Sequence, residues 1–221
     1  MTEWKSDKEL FEICRRELYT GAICDMLDEM GFRHQFLGVQ CMPLRQSDIV
    51  CGRAYTTVLD DVYDPKDPPL GQFTEALDGC PEDSVYVVTG GARRCAYFGG
   101  IMTATIKHRG AVGAIVDGYI RDTREILEQD FPVWSWGHSP EGSGARNEVV
   151  AYDVPVEVNR VRIERRELIF ADIDGAVAIP LQVEKELITR VLAKVRSEKA
   201  TRESIMGGMS ATEATKLYGN F

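Results

Sequence analysis

Apolar positions along this chain recur at two periods, and the changes between them mark out its elements. Leu10, Ile13, Cys14 and Leu18 follow helical spacing behind Ser6-Asp-Lys-Glu9, a capping-box pattern that opens a first helix. Ile23, Leu27 and Met30 share one face of a second helix, predicted from about Gly21 to Met30 and stopped by Gly31. Strands are then predicted near 49–58, 84–89 and 112–117, with a helix near 70–78. Leu59 to Pro69, rich in proline and acid, reads as a loop. Between the apolar runs Ser84–Thr89 and Ala111–Asp117, the segment Ile101–Arg109 has room for about two and a half helical turns before Gly110. From 132 to 180 short strands dominate, several expected to be antiparallel because their connections are too brief for crossovers. A long amphipathic helix is predicted from Gln182 to about Ile205, with Val183, Leu187, Val191 and Val195 at spacings of four. Ser210-Ala-Thr-Glu213 then starts a final short helix.

This order predicts one α/β domain over residues 1–221, with a helical N-terminus at about 6–31, a core at about 49–180 and C-terminal helices at about 182–218. No repeat or shift in composition divides it. A net charge of −9 argues against a nucleic-acid ligand, which needs a basic face. No apolar run approaches the roughly 18 residues needed to span a membrane, and the first seven residues are too polar for a signal peptide. Six cysteines without a Cys-x-x-Cys pair read as reduced, packed thiols, so the expected location is cytoplasmic. His34, His108 and His138 lack zinc-ligand spacing.

Strand, helix and strand over 84–117 imply a right-handed crossover between two parallel strands. The helix start at Gly99-Gly100 and the loop from Gly118 to Asp122 then open into one crevice at the carboxyl ends of the strands. The chemistry of that crevice suits an anion and a cation together. Free N–H groups of Ile101 and Met102 at the positive end of the helix favour a carboxylate or phosphate, and glycine at 99 and 100 lets it approach. Arg121 offers a planar fork for bidentate carboxylate binding, and Asp122 is a hard oxygen ligand for Mg²⁺ or Mn²⁺. Arg-Asp taken alone reads equally well as a surface ion pair.

Other candidates carry plain structural readings beside functional ones. Asp117 ends a strand, where it either accepts loop N–H bonds or serves the crevice. Glu125 either satisfies a helix N-terminus or faces the site. His108 suits the C-terminal end of a helix, whereas His138 follows a strand end and borders the crevice in the functional reading. Asp60, Asp61 and Asp64 read first as a solvated loop. Gly90-Gly91 lacks the rest of a dinucleotide-binding fingerprint, and no nucleophile motif is present.

Gly100-x20-Arg121-Asp122 with Glu125 three residues on, after a Val-x-Asp-Gly strand end, resembles the RraA-like family. Thr20–Gly31, Gly52–Val58 and Leu168–Gly175 with Val177–Pro180 resemble that family's N-terminal helix, first long strand and last sheet segment. The family contains metal-dependent pyruvate aldolases that cleave 4-hydroxy-4-methyl-2-oxoglutarate and a regulator that inhibits ribonuclease E. The resemblance implies a layered α/β/α fold with a mixed sheet and a C-terminal helical arm. It further implies a homotrimer or homohexamer with sites between subunits, and a lyase that yields pyruvate with Mg²⁺, Mn²⁺ or another divalent metal. Arg121 and the amides of Ile101 and Met102 would meet the substrate carboxylate, and Asp122 the metal. Glu203 of a neighbouring subunit would reach the metal through water. The family's characterised aldolases carry an acidic residue where this chain has Gly100. Asp117, Glu125 or a neighbour's Glu203 is then left to supply the missing base. A non-catalytic protein-binding regulator, and a lyase or isomerase for another oxo or sugar acid, are the rival readings.

Overall fold

The computed structural model describes residues 4–64 and 71–219. Two helices come first, α1 (Asp7–Glu17) and α2 (Thr20–Glu29), followed by strands β1 (Met42–Pro43) and β2 (Val50–Asp61) and helix α3 (Phe73–Asp78). Next come β3 (Ser84–Gly90), β4 (Ala96–Phe98), α4 (Gly100–His108), β5 (Gly113–Val116), β6 (Tyr119–Ile120) and α5 (Thr123–Glu128). Short strands follow: β7 (Val133–Ser135), β8 (Gly137–His138), β9 (Asn147–Tyr152), β10 (Val156–Val158), β11 (Val161–Ile163), β12 (Leu168–Asp172) and β13 (Gly175–Ile179). Helices α6 (Glu184–Met206) and α7 (Ala211–Tyr218) form the C-terminal arm.

The main sheet is mixed, in the order β1-β7-β5-β3-β2-β12-β13, with β9 also pairing β2. Its centre, β2-β3-β5-β7, is parallel, and the expected crossover through α4 does join the parallel pair β3 and β5. Phe36 bridges to Val177 on β13, while β1, six residues later, pairs with β7 at the opposite edge. That short segment nearly closes the sheet on itself.

Successive residues of β3 show why both faces are apolar. Val85 and Val87 pack inward with Trp134, Ile169 and the β10–β11 hairpin, whereas Tyr86 and Val88 pack outward against α3 and α4. On the far side α1, α2 and the first half of α6 cover β12 and β13 through Leu10, Ile23, Leu187 and Val191. Arg53 ties this layer together. It donates to both Asp7 oxygens at 2.7 Å and to Glu184, with Nη2 3.1 Å from Oε1. Ser6 caps α1 as expected, and Ser210 and Glu213 form a complete capping box on α7.

Three features differ from expectation. β2 runs on to Asp61, because β9 supplies cross-strand partners for Leu59, Asp60 and Asp61 past a bulge at Val58/Leu59. The loop expected at 59–69 therefore starts later, and its Pro65–Pro69 part lies outside the described residues, as do Met1–Glu3 of the polar N-terminus. The helix expected near 70–78 begins at Phe73. The expectation of several antiparallel late strands holds for β9 to β13, while β7 runs parallel to β5 and β8 parallel to β6. Finally, β4, β6 and β8 form a separate three-stranded parallel sheet beyond the ends of the main one. Strands of two or three residues carry no readable period.

Candidate active site

This small sheet builds the crevice. The backbone N–H of Arg121 donates to Phe98 O at 3.0 Å, which sets the end of β6 beside the end of β4 and the start of α4. Gly99 caps α4 in an extended conformation with no side chain of its own to offer. The cap comes from across the crevice: Asp122 Oδ2 accepts from Gly100 N–H at 3.2 Å. Asp122 holds φ 55° and ψ 34°, a left-handed conformation costing a non-glycine residue about 1–2 kcal/mol. That turn throws its carboxylate back over α4. A Cβ on Gly99 would lie 2.8 Å from Asp122 Oδ2, so the close approach requires glycine there.

Among the described residues no acceptor reaches the N–H groups of Ile101 or Met102, so the anion-binding half of the expected crevice is open. Arg121 lies 3.6 Å from Asp122 through Nε, both side chains being about half-exposed at 49% and 40%. Such a pair is weak. The terminal guanidinium nitrogens pack against Gly142, where a Cβ would stand 2.9 Å from Cζ, and no acceptor among the described residues engages them. Glu125, one turn into α5, brings a second carboxylate. It fills the space a side chain at residue 100 would take: a Cβ there would overlap its Oε2 and lie 3.1 Å from its own Cβ.

Gly99, Ile101, Met102, Arg121 and Asp122 border one cleft of about 510 Å³. Sequence reasoning missed its other wall, from Phe73, Tyr97, Phe98 and the loop Gly142–Arg146. The loop begins 34 residues after α4 ends at His108, and its Ala96–Gly142 bridge has no local signature. Asp117 stands apart from the cleft, 2% exposed. It accepts from Thr89 Oγ1 at 2.7 Å and from Arg93 Nη2 at 2.5 Å. Glu203 lies exposed in the second half of α6 and does not border the cleft within its own chain. His138 is exposed, with Nδ1 2.9 Å from the Thr123 hydroxyl. Cysteine chemistry is unfavourable: burial pushes the Cys24 thiol up to about 11 and Cys80 up to about 12. A wider groove of about 840 Å³ opens between α2 and α6, where Arg190 pairs with Glu29 and Lys194 with Asp25.

No cluster of three or more His, Cys, Asp or Glu side chains able to hold a metal occurs among the described residues. The donor the cleft offers is the single carboxylate of Asp122; Glu125, which stands over Gly100, is not among the residues that line it. One carboxylate fits a hard divalent cation that keeps most of its water shell, as Mg²⁺ does, and does not fit a closed zinc site.

A profile of the RraA-like family, Aldolase/RraA, matches residues 20–178, and the chain belongs to that family. Over 199 residues it is 27% identical to a protein from Halalkalibacterium halodurans provisionally named 4-hydroxy-4-methyl-2-oxoglutarate aldolase, covering 90% of each chain. It is 28% identical over 200 residues to the protein DlpA of Legionella pneumophila, covering 89% of this chain but spanning only 32% of that longer relative. The crystal structure of Streptomyces coelicolor RraAS2, described as an unusual member of the RNase ES inhibitor RraA protein family, superposes with a TM-score of 0.79. It is 27% identical, over 90% of this chain and 99% of that one. No helix among the described residues is long and apolar enough to cross a membrane.

Proposed function

We propose that this protein is a divalent-metal-dependent carbon–carbon lyase that releases pyruvate from a 2-oxo acid, by decarboxylating oxaloacetate, by retro-aldol cleavage of a 4-hydroxy-2-oxo acid, or by both. The observation that carries this reading is the meeting in one cleft of an uncommitted Arg121 fork, the open N–H groups of Ile101 and Met102, and the Asp122 carboxylate.

Arg121 and the two amides bind the C1 carboxylate and fix the plane of the 2-oxo group, so that the bond to be broken stands across that plane. Asp122 would hold a cation such as Mg²⁺ or Mn²⁺, which when bound supplies Lewis-acid polarisation of the 2-oxo group. Retro-aldol cleavage also needs a base for the C4 hydroxyl proton. Glu125 is the acidic group that the space over Gly100 already contains, and we assign it that role. As the proton leaves, the C4–O bond becomes a carbonyl, the C3–C4 bond breaks and its electron pair moves toward C3 and the 2-oxo oxygen. Decarboxylation needs no base, because the departing carboxylate is already ionised. The assembly proposed is a cytoplasmic homo-oligomer, a trimer or hexamer, in which a neighbour's Glu203 completes the water network.

Pyruvate release, coupled to NADH oxidation by lactate dehydrogenase, tests the reading on oxaloacetate and several 4-hydroxy-2-oxo acids with and without Mg²⁺. Mg²⁺-dependent pyruvate formation above the enzyme-free rate is expected. No pyruvate beyond that rate from any of them, with or without metal, would overturn it.

A further inference from the structure

We propose that the substrate carries an apolar group, alkyl or aryl, at the end remote from its 2-oxo carboxylate, in place of a second carboxylate. The inference rests on the lyase reading above and extends it by following each polar side chain of the cleft wall to its partner.

Beyond Arg121 and Asp122, three side chains lining the cleft bear polar groups, and each is already engaged within the protein. The Tyr97 hydroxyl donates to Gly90 O at 2.8 Å and accepts from Arg93 N–H at 2.7 Å, so only ring carbon faces the cleft. The Ser143 hydroxyl donates to Ala96 O at 2.8 Å. Arg146 donates to Gly142 O at 3.1 Å and to Glu141 at 2.7 Å, where the glutamate matches its charge. Turning Arg146 to a substrate carboxylate would give up both of these bonds. What remains of this wall is carbon: Phe73, Phe98, Ile101, Met102 and Ala145. Ile101 is 79% exposed at the rim, where an apolar partner would cover it. Behind Phe73, Tyr97 and Met102 a further void of about 10 Å³ is lined by Leu59, Val88 and Val149 together with Tyr86, Ser143 and Asn147.

A carboxylate against these side chains would lose water without gaining an uncommitted side-chain donor. An alkyl or aryl group would exchange water for dispersion contacts. The cleavage is then R–CH(OH)–CH₂–CO–COO⁻ to R–CHO and pyruvate: the hydroxyl proton ends on C3, and no external reactant is consumed.

The experiment compares kcat/KM for 4-hydroxy-2-oxo acids alike at the reacting carbons, with methyl, propyl, phenyl or carboxylate at C4. The apolar members are expected to exceed the carboxylate by at least about tenfold, the scale on which a hydrophobic pocket discriminates. Phe73→Arg is expected to lower phenyl turnover and raise that of the carboxylate. Arg146→Gln is expected to leave the order of preference unchanged. Pyruvate formation with the carboxylate equal or preferred, or an Arg146→Gln loss confined to the carboxylate substrate, overturns this proposal alone. No pyruvate from any member overturns the lyase reading beneath it.

Discussion

Gly100→Ala separates the chemistry of this site from its fold. A methyl at residue 100 would overlap Glu125 Oε2 and stand 3.1 Å from the Glu125 Cβ and 3.2 Å from its Cδ. The carboxylate ends a flexible, exposed side chain, so it swings away, and the helices separate by a few tenths of an ångström to relieve the Cβ contact. Alanine gains up to about 1 kcal/mol over glycine in a helix, which offsets that repacking, so stability should change by no more than about 1 kcal/mol. Activity should not be spared. With its base displaced, retro-aldol turnover is expected to fall by about 10²–10⁴-fold, or about 3–5 kcal/mol in the barrier. Oxaloacetate decarboxylation, which needs no base, should stay within a few-fold of wild type. Glu125→Gln should show the same split, and the double variant should lose no more than either single one. The assay is kcat for both reactions on one preparation, with thermal denaturation as the check on folding. Undiminished aldol turnover in Gly100→Ala would refute the assignment of Glu125. An equal loss in both reactions would mean that the substitution simply moved the helix start.

Arg121→Ala should cost about 2–5 kcal/mol in kcat/KM, and Arg121→Lys should not restore it, since an ammonium lacks the planar fork; near-wild-type kinetics would leave Arg121 a surface residue. Asp122→Asn should lose most Mn²⁺ binding by calorimetry while keeping the fold, whereas unchanged binding would place the metal elsewhere. Arg53→Met should destabilise the protein by about 3–5 kcal/mol in urea titration, because Glu184, only 12% exposed, would keep a charge without its partner. The hydrogen bonds from Arg53 hold the Asp7 carboxyl below its ordinary value. Its contribution is therefore present above the unfolded value of about 3.9 and lost as pH falls through the lower folded one. The stability gap between wild type and Asp7→Asn should accordingly close below about pH 4; a gap unchanged at low pH would contradict this.

How much of this was legible in the chain depends on the distance over which each signal acts. Helices and long strands announce themselves through period, so the β3-α4-β5 crossover and the meeting of Gly99 with Asp122 follow from sequence. The second sheet does not, because β4, β6 and β8 are too short for alternation, and it is their pairing that decides where Arg121 sits. Glu125 is ambiguous in sequence for a different reason. Its position over Gly100 depends on how α4 and α5 approach one another, which side-chain identity does not encode. Asp117 shows the converse: its strand-end position is the same for a crevice residue and a buried ion-pair partner, and only the return of Arg93 onto it distinguishes them.

The left-handed backbone at Asp122 also limits the alphabet open to that position. Asparagine and glycine tolerate φ 55°, but only aspartate among the acids does so readily; glutamate, with its longer stem, would neither sit there comfortably nor fold its oxygen back onto Gly100 N–H. A library randomised at this codon should therefore favour asparagine, aspartate and glycine by about 1–2 kcal/mol in stability and keep metal affinity at aspartate. Conservative exchange of one carboxylate for another, harmless across most of a protein surface, becomes the substitution that this turn screens out most sharply.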